Sequence, residues 1–211
     1  MIASIDGAGS LDGRSGGLGG PADKALFSTL RSQADVILVG AATMRTESYG
    51  PVLLDDTARD RRRQWGLAPV PPIAVVTRAC RLDWGSPFFR DAEQRPVIIT
   101  AASAAGQDRA RAAQVADVIL TGDDQVDLVL ALRALGELGH DSVLAEGGPG
   151  VAALLASGDL LDELCITLSP VLTGGDARRI LNGHQVEPPT RLELHQVLES
   201  ENFLFLQYLR R

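Results

Sequence analysis

"SVLAEGGPGVAALLASGDLLDEL", residues 142–164, sets a short apolar run against an acid, three closely spaced glycines and a second apolar run of helical length. Read as strand, turn and helix, it puts Glu146, Gly147 and Gly148 at the carboxyl end of a strand, where open α/β sheets receive ligands. Gly147 and Gly148 carry no side chain to hold a ligand off the backbone. Pro149 and Gly150 then open a helix whose free N–H groups and dipole favour an anion. The same residues also fit a plainer reading, a tight strand-to-helix turn with no ligand. Gly148 to Ala153 satisfies G-x-G-x-x-A. The position about 20 residues on, near Leu168 and Ser169, lacks the acid that holds a ribose hydroxyl in dinucleotide-binding units, so a standard NAD-type unit is disfavoured.

Working outward, "DVILVG", "PIAVVT", "RPVIIT", "ADVILT" and "DSVLAE" are short continuous apolar runs rich in Val and Ile. That is the pattern of parallel strands buried on both faces. "MIASIDG" reads as a further strand that begins almost at residue 1, followed by the Gly-rich turn "AGSLDGRSGGLGG". "PADKALFSTLRSQA" predicts a helix with Pro21 at its first position and Ala22, Ala25, Leu26, Thr29, Leu30 and Ala34 on one face. A second helix is predicted at 126–138. Alternating strands and helices imply an α/β fold. After "LCITLSP" the pattern changes: "RLELHQVLES" and "NFLFLQYLR" flank a corner at Ser200–Asn202, as an antiparallel hairpin closing a sheet edge would. The polar "TARDRRRQWG", 57–66, reads as a mobile surface insertion with solvated arginines.

With 211 residues, 45% of them hydrophobic and 22% charged, the chain suits one α/β domain over 1–211 with a substantial core. A formal charge of −7 opposes a polyanion, so nucleic acid is not expected as a partner. Cys80 and Cys165 are too isolated for a disulfide framework or a zinc site and read as ordinary buried thiols; His140, His184 and His195 are scattered singly and read as non-ligands. No metal is expected. Lys24, the single lysine, sits near a helix start, a poor place for Schiff-base chemistry. No apolar run is long enough to span a membrane, and the first ten residues do not form a signal peptide, so a cytoplasmic protein is expected.

Three more stretches, "ASIDGAGSLDGRSGGLGGPADKALFSTLR", "DVILVGAATMRTESYGP" and "DELCITLSPVLTGG", agree in order and spacing with the first quotation. Together they resemble the riboflavin-pathway pyrimidine reductases, the RibD C-terminal family, over about residues 1–182. The resemblance implies a dihydrofolate-reductase-like three-layer α/β/α fold, with a mostly parallel central sheet and an antiparallel C-terminal edge hairpin. It implies a homodimer that uses NADPH to reduce a ribosylaminopyrimidine 5′-phosphate, of the 5-amino-6-(5-phosphoribosylamino)uracil type, to a ribityl product. It also implies that neither a metal nor a bound prosthetic group takes part.

By that resemblance Ala3 faces the nicotinamide and Thr43 contacts the cofactor phosphates. Thr77 and Arg78 take the 2′-phosphate, while Gly147, Gly148, Pro149, Gly150 and Val151 wrap the pyrophosphate and the nearer ribose. Ser15 and Arg31 hold the pyrimidine nucleotide, Glu47 stands where longer relatives carry an aspartate, and Glu146 points at the pyrimidine. Opening the sugar to an imine needs a proton donor, for which a partly desolvated carboxyl with a raised pKa is suited. Glu146 and then Asp6 are the candidates. Each has a plainer rival reading: Arg31 paired with an acid on the helix surface, Asp6 capping the turn after the first strand, Thr43 starting a helix.

The chain departs from the bifunctional enzymes in lacking H-x-E and P-C-x-x-C, so deaminase chemistry is excluded. Tyr49, in "TESYGP", replaces their acidic-proline run and leaves the substrate open. Met1 falls inside the first strand motif, so a short first strand is expected. Two rival functions remain at this point: reduction of dihydrofolate, a pterin or another small imine on the same fold, and nucleotide binding without catalysis.

Overall fold

The computed structural model describes residues 1–183 and 185–211. In chain order its elements begin with β1 (Ile2–Ser4), α1 (Pro21–Gln33), β2 (Val36–Gly40), α2 (Ala41–Thr46), α3 (Asp56–Gln64), β3 (Ile73–Thr77), α4 (Pro87–Arg90) and β4 (Val97–Thr100). They continue with α5 (Gly106–Val115), β5 (Asp117–Leu120), α6 (Leu128–Glu137), β6 (Val143–Gly147), α7 (Pro149–Ser157), β7 (Glu163–Ser169), β8 (Leu192–Ser200) and β9 (Phe203–Arg210). The chain divides into two compact units, one of Met1–Phe27 with Gly147–Arg211 and one of Ser28–Glu146.

Unit 2, the central segment, is built on the five-stranded sheet β5-β4-β3-β2-β6, in which β2, β3, β4 and β5 pair in parallel. Its Val/Ile runs fold this way because both faces are covered: every residue of β2 is buried, as is every residue of β4. Helix α2 packs on β2 and β3, and α5 and α6 pack on β5. The exception is β5, expected to be buried on both faces; it lies at the sheet's end and is only half-buried.

The polar stretch expected to be a mobile insertion is instead the helix α3, and the physical reason is local. Asp55 caps it by accepting from the Ala58 N–H at 2.7 Å, an acid stands in its first turn, and Arg61, Arg62 and Arg63 fill its last. Nor are all its arginines solvated. Arg62 is 1% exposed and donates to the carbonyls of Ala68 (2.7 Å), Ser32 (3.0 Å) and Ala34 (2.6 Å).

Unit 1 carries the four-stranded sheet β1-β7-β9-β8, with β1 and β7 parallel and the β7-β9-β8 pairings antiparallel. The C-terminal hairpin therefore forms the expected antiparallel edge. Its corner is tight because Glu201 and Asn202 both take positive φ, 54° and 66°, the geometry of a two-residue hairpin turn. Strand β1 is three residues long. Helix α1 begins at Pro21 as expected, but Ala25 and Thr29 are exposed, while Ser32 is buried and Ser28 and Arg31 are half-buried.

Cys80 is buried; Cys165 is half-buried, its thiol donating to Glu163 at 3.0 Å, and burial, then Glu163, push its pKa up to about 12. No helix among the described residues is long and apolar enough to cross a membrane. Among those residues no His, Cys, Asp and Glu group is arranged to hold a metal; the reading of His184 lies outside them.

Candidate functional site

In unit 2 the strands step outward from β2 through β3 and β4 to β5, while β6 lies on the other side of β2. A reversal of this kind opens a crevice at the carboxyl ends of the two strands flanking it. The starts of β2 and β6 adjoin, because the Asp35 and Val36 amides both donate to the Ser142 carbonyl, at 2.9 and 3.3 Å. At the far end β2 runs into α2 and its following loop, and β6 reaches Glu146.

Three side chains meet there. Arg31, from the last turn of α1, donates through Nε to Glu146 Oε1 at 2.6 Å and through Nη2 to Oε2 at 2.7 Å. Tyr49, just beyond α2, donates its hydroxyl to the same Oε2 at 2.8 Å, and its ring centroid lies 5.7 Å from the Arg31 guanidinium carbon. The bidentate fork is the strong form of an ion pair, and the aromatic face beside the cation adds to it. The Glu146 side chain is 2% exposed and that of Arg31 19%. Burial works against the Arg31 charge, but the hydrogen bond and charge of Glu146 outweigh it and hold the guanidinium above its ordinary range. Burial, reinforced by the Glu146 charge, pushes the Tyr49 phenol well above its usual range. Two residues expected to bind substrate separately are thus brought into one cluster; the acid that pairs with Arg31 lies on β6 and not on the surface of its own helix.

Glu47 caps the end of α2, its amide donating to the Thr43 carbonyl at 2.8 Å, and Thr43 lies half-buried in that helix. Thr77 ends β3 and is buried. Arg78 follows with its side chain exposed, while its carbonyl accepts from the Thr100 hydroxyl at 3.2 Å. Backbone anchorage with a solvent-facing guanidinium suits Arg78 to an anionic ligand.

Unit 1 holds the remaining expected residues. Ala3 is buried in β1, and Ser15 is half-buried in the Gly-rich turn, its carbonyl accepting from the Leu18 amide. Gly147 has φ +91°, and a Cβ there would come within 3.3 Å of the Met1 sulfur, so both conformation and space call for glycine. Gly148 caps α7 without a side-chain acceptor, and Pro149 opens the helix. Gly147 and Gly148 are buried and Gly150 is exposed, so the accessible backbone of this turn lies at the start of the helix.

Asp6 is engaged differently. Its Oδ1 accepts from the Ser4 hydroxyl at 2.5 Å, its Oδ2 accepts from the Gly174 N–H at 2.7 Å, and the Thr173 N–H reaches both oxygens at 3.3 Å. The Ser4 hydroxyl first, then the Gly174 amide, hold this carboxyl well below the usual carboxylate range. A proton donor needs the opposite shift; the amides that Asp6 accepts from, Thr173 and Gly174, belong to the turn after β7 and not to the turn after the first strand that it was expected to cap.

Sequence reasoning placed Tyr49 among the departures and missed its contact with Glu146. No periodicity could have flagged it, since the two residues are 97 positions apart. The signal available was chemical: an aromatic hydroxyl in the loop after the strand that borders the switch point.

The fold first defines a class. It is the fold shared with the dihydrofolate reductase of Enterococcus faecalis, on which the chain superposes with a TM-score of 0.52 at 13% identity, covering all of this chain and 93% of that one. Within the class, a profile of the RibD C-terminal domain matches residues 1–205, and the chain belongs to that family. The 2,5-diamino-6-ribosylamino-4(3H)-pyrimidinone 5′-phosphate reductase of Methanothermobacter thermautotrophicus is 28% identical, covering 97% of this chain and 95% of its own. The protein of the same name from Archaeoglobus fulgidus is 27% identical, covering 81% and 78%. A pyrimidine reductase-like protein from Corynebacterium diphtheriae superposes with a TM-score of 0.90 at 29% identity, covering all of this chain and 89% of that one.

Proposed function

We propose that the protein is an NADPH-dependent oxidoreductase that reduces a ribosylaminopyrimidine 5′-phosphate to its ribitylamino product in riboflavin biosynthesis. The observation that carries this reading is the Arg31–Glu146–Tyr49 cluster at the switch point of a chain belonging to the RibD C-terminal family. Curated relatives are named for the 2,5-diamino pyrimidinone, so that form is to be tried before the uracil expected from the sequence.

The chemistry asks little covalent work of the protein. The ribosylamine opens when a proton reaches the ring oxygen and the exocyclic nitrogen forms a C=N bond to C1′ as it loses its own proton. Reduction then adds a hydride to C1′ and a proton to nitrogen, giving a secondary amine. NADPH, when bound, supplies the hydride. The residues' task is to hold and align the reactants.

The roles are assigned unit by unit. In unit 2 Arg31, with Glu146 paired to it, and Glu47 serve the phosphorylated pyrimidine. Thr43, Thr77 and Arg78 serve the cofactor, with the exposed Arg78 guanidinium supporting the choice of NADPH over NADH. In unit 1 Ser15 serves the substrate, and Ala3 with Gly147, Gly148, Pro149, Gly150 and Val151 serves the cofactor. Glu146, the first candidate from the sequence for delivering the proton, accepts from Arg31 Nε and Nη2 and from the Tyr49 hydroxyl, so its place in this reading is that of the ion-paired carboxylate that orients Arg31, and it could hand on a proton only once that pairing opens. Asp6, held as a carboxylate by its turn, is the weaker candidate.

Residues 1–211 are taken as one functional domain, since the family profile runs through both units. A homodimer is supported by Leu194, Val197 and Leu198 on β8, an end strand of its sheet, each about half exposed. The phosphorylated substrate and NADPH are metabolites of the cytoplasm, and the protein is placed there with them.

The test is turnover. With NADPH and the 2,5-diamino ribosylamino phosphate, the account expects loss of NADPH absorbance matched by a product heavier by two hydrogens. No consumption above background with either pyrimidine, or consumption only with dihydrofolate, would remove this reading.

A further inference from the structure

We propose that Tyr49 is a positioning residue for this reduction: its hydroxyl locks Glu146 in the orientation that clamps Arg31 toward the phosphorylated pyrimidine. The proposal rests on the reading above that Arg31 and Glu146 serve the substrate.

The geometry argues as follows. A carboxylate offers two acceptor positions on each oxygen. On Glu146, Oε2 takes both Arg31 Nη2 and the Tyr49 hydroxyl, and Oε1 takes Arg31 Nε. Two parallel bonds from one guanidinium align the planes of the two groups but leave the pair free to pivot as a unit about the side-chain torsions of both residues. A third bond, from a ring on another segment, removes that freedom. Tyr49 can supply it because it hangs from the loop after α2, while Arg31 comes from α1 and Glu146 from β6. The ring does a second job from the same place, since the guanidinium lies 5.7 Å from its centroid. The cluster is buried enough for these contacts to matter: the Glu146 side chain is 2% exposed, and the phenol is kept in its donating form far above neutral pH.

Tyr49→Phe tests the hydroxyl while keeping the ring over Arg31. The expected result is a KM for the pyrimidine phosphate raised about tenfold, the scale of one lost hydrogen bond to a charged group. NADPH affinity and kcat stay near those of the parent, and the thermal midpoint falls only by the few degrees that one lost hydrogen bond to a buried carboxylate costs. An unchanged KM overturns the proposal. So does a joint fall of kcat, NADPH affinity and thermal midpoint, which would make Tyr49 a folding residue only.

A second measurement needs no turnover and separates failure of this inference from failure of the functional reading. The chain has two tyrosines, so in Tyr208→Phe the ultraviolet absorbance of ionising phenol reports Tyr49 alone. The clamp predicts that, over the pH range in which circular dichroism shows the fold intact, Tyr49 stays protonated past the ordinary value of 10.0, and that adding Glu146→Gln lets it ionise at lower pH with that signal unchanged. Ionisation at the ordinary value in both proteins overturns the clamp, whatever the enzyme assay shows. A wild-type protein that turns over no pyrimidine but passes the titration overturns the role in reduction, though not the contact.

Discussion

Asp6 illustrates how much a single carboxylate's surroundings decide. Its donors come from Ser4, Thr173 and Gly174, so it ties the loop after β1 to the turn after β7 within unit 1. Because these donors favour the ionised form, the folded pKa lies below the ordinary 3.8 that the unfolded chain retains. The sign follows by linkage: the stabilisation is fully present above 3.8 and is lost as pH falls from there toward the folded value. Asp6→Asn should therefore melt below the parent at pH 7, with the gap closing as the buffer is taken below pH 3.8. A gap that did not change with pH would mean that the charge of Asp6 contributes nothing to the turn. Glu146 differs in kind, being buried with a guanidinium as its main partner, so removing either member leaves a buried charge uncompensated. Such losses run to about 3–5 kcal/mol. That is why the gentler Tyr49→Phe is the informative change in the cluster.

Among the elements, the strands were readable because burial on both faces leaves an uninterrupted Val/Ile run, and the hairpin because two polar residues at a corner take positive φ. Helix α3 was not readable from periodicity, since its segment has almost no apolar face. It is held instead by a cap, by charge order along the dipole, and by Arg62, whose guanidinium satisfies carbonyls at 32, 34 and 68. Asp55→Ala should cost about 0.5–2 kcal/mol in chemical denaturation, the range of a lost N-cap, and a loss within error would show that Arg62 alone anchors the helix. The exposure of β5 was equally hidden, because a strand's place at a sheet edge is a property of topology rather than of its own residues. For the same reason the glycine turn at 147–150 was legible as a turn, from local chemistry, while the Arg31–Glu146–Tyr49 contact was not, since it joins residues 115 and 97 positions apart.

At the scale of the whole molecule, a formal charge of −7 sets a field that repels phosphorylated ligands, so any anion must be held by local donors. In the function proposed above those donors are Arg31 and Arg78 in unit 2 and, in unit 1, the backbone at the start of α7. The most direct test follows the hydride itself: purified protein is supplied with NADPH deuterated at C4 on the transferred face and with the 2,5-diamino ribosylamino phosphate, and the product is read by mass and NMR. The account predicts a single deuterium at C1′ of the ribityl chain. Product without deuterium, or label appearing only in a reduced pterin when that is offered instead, would contradict it.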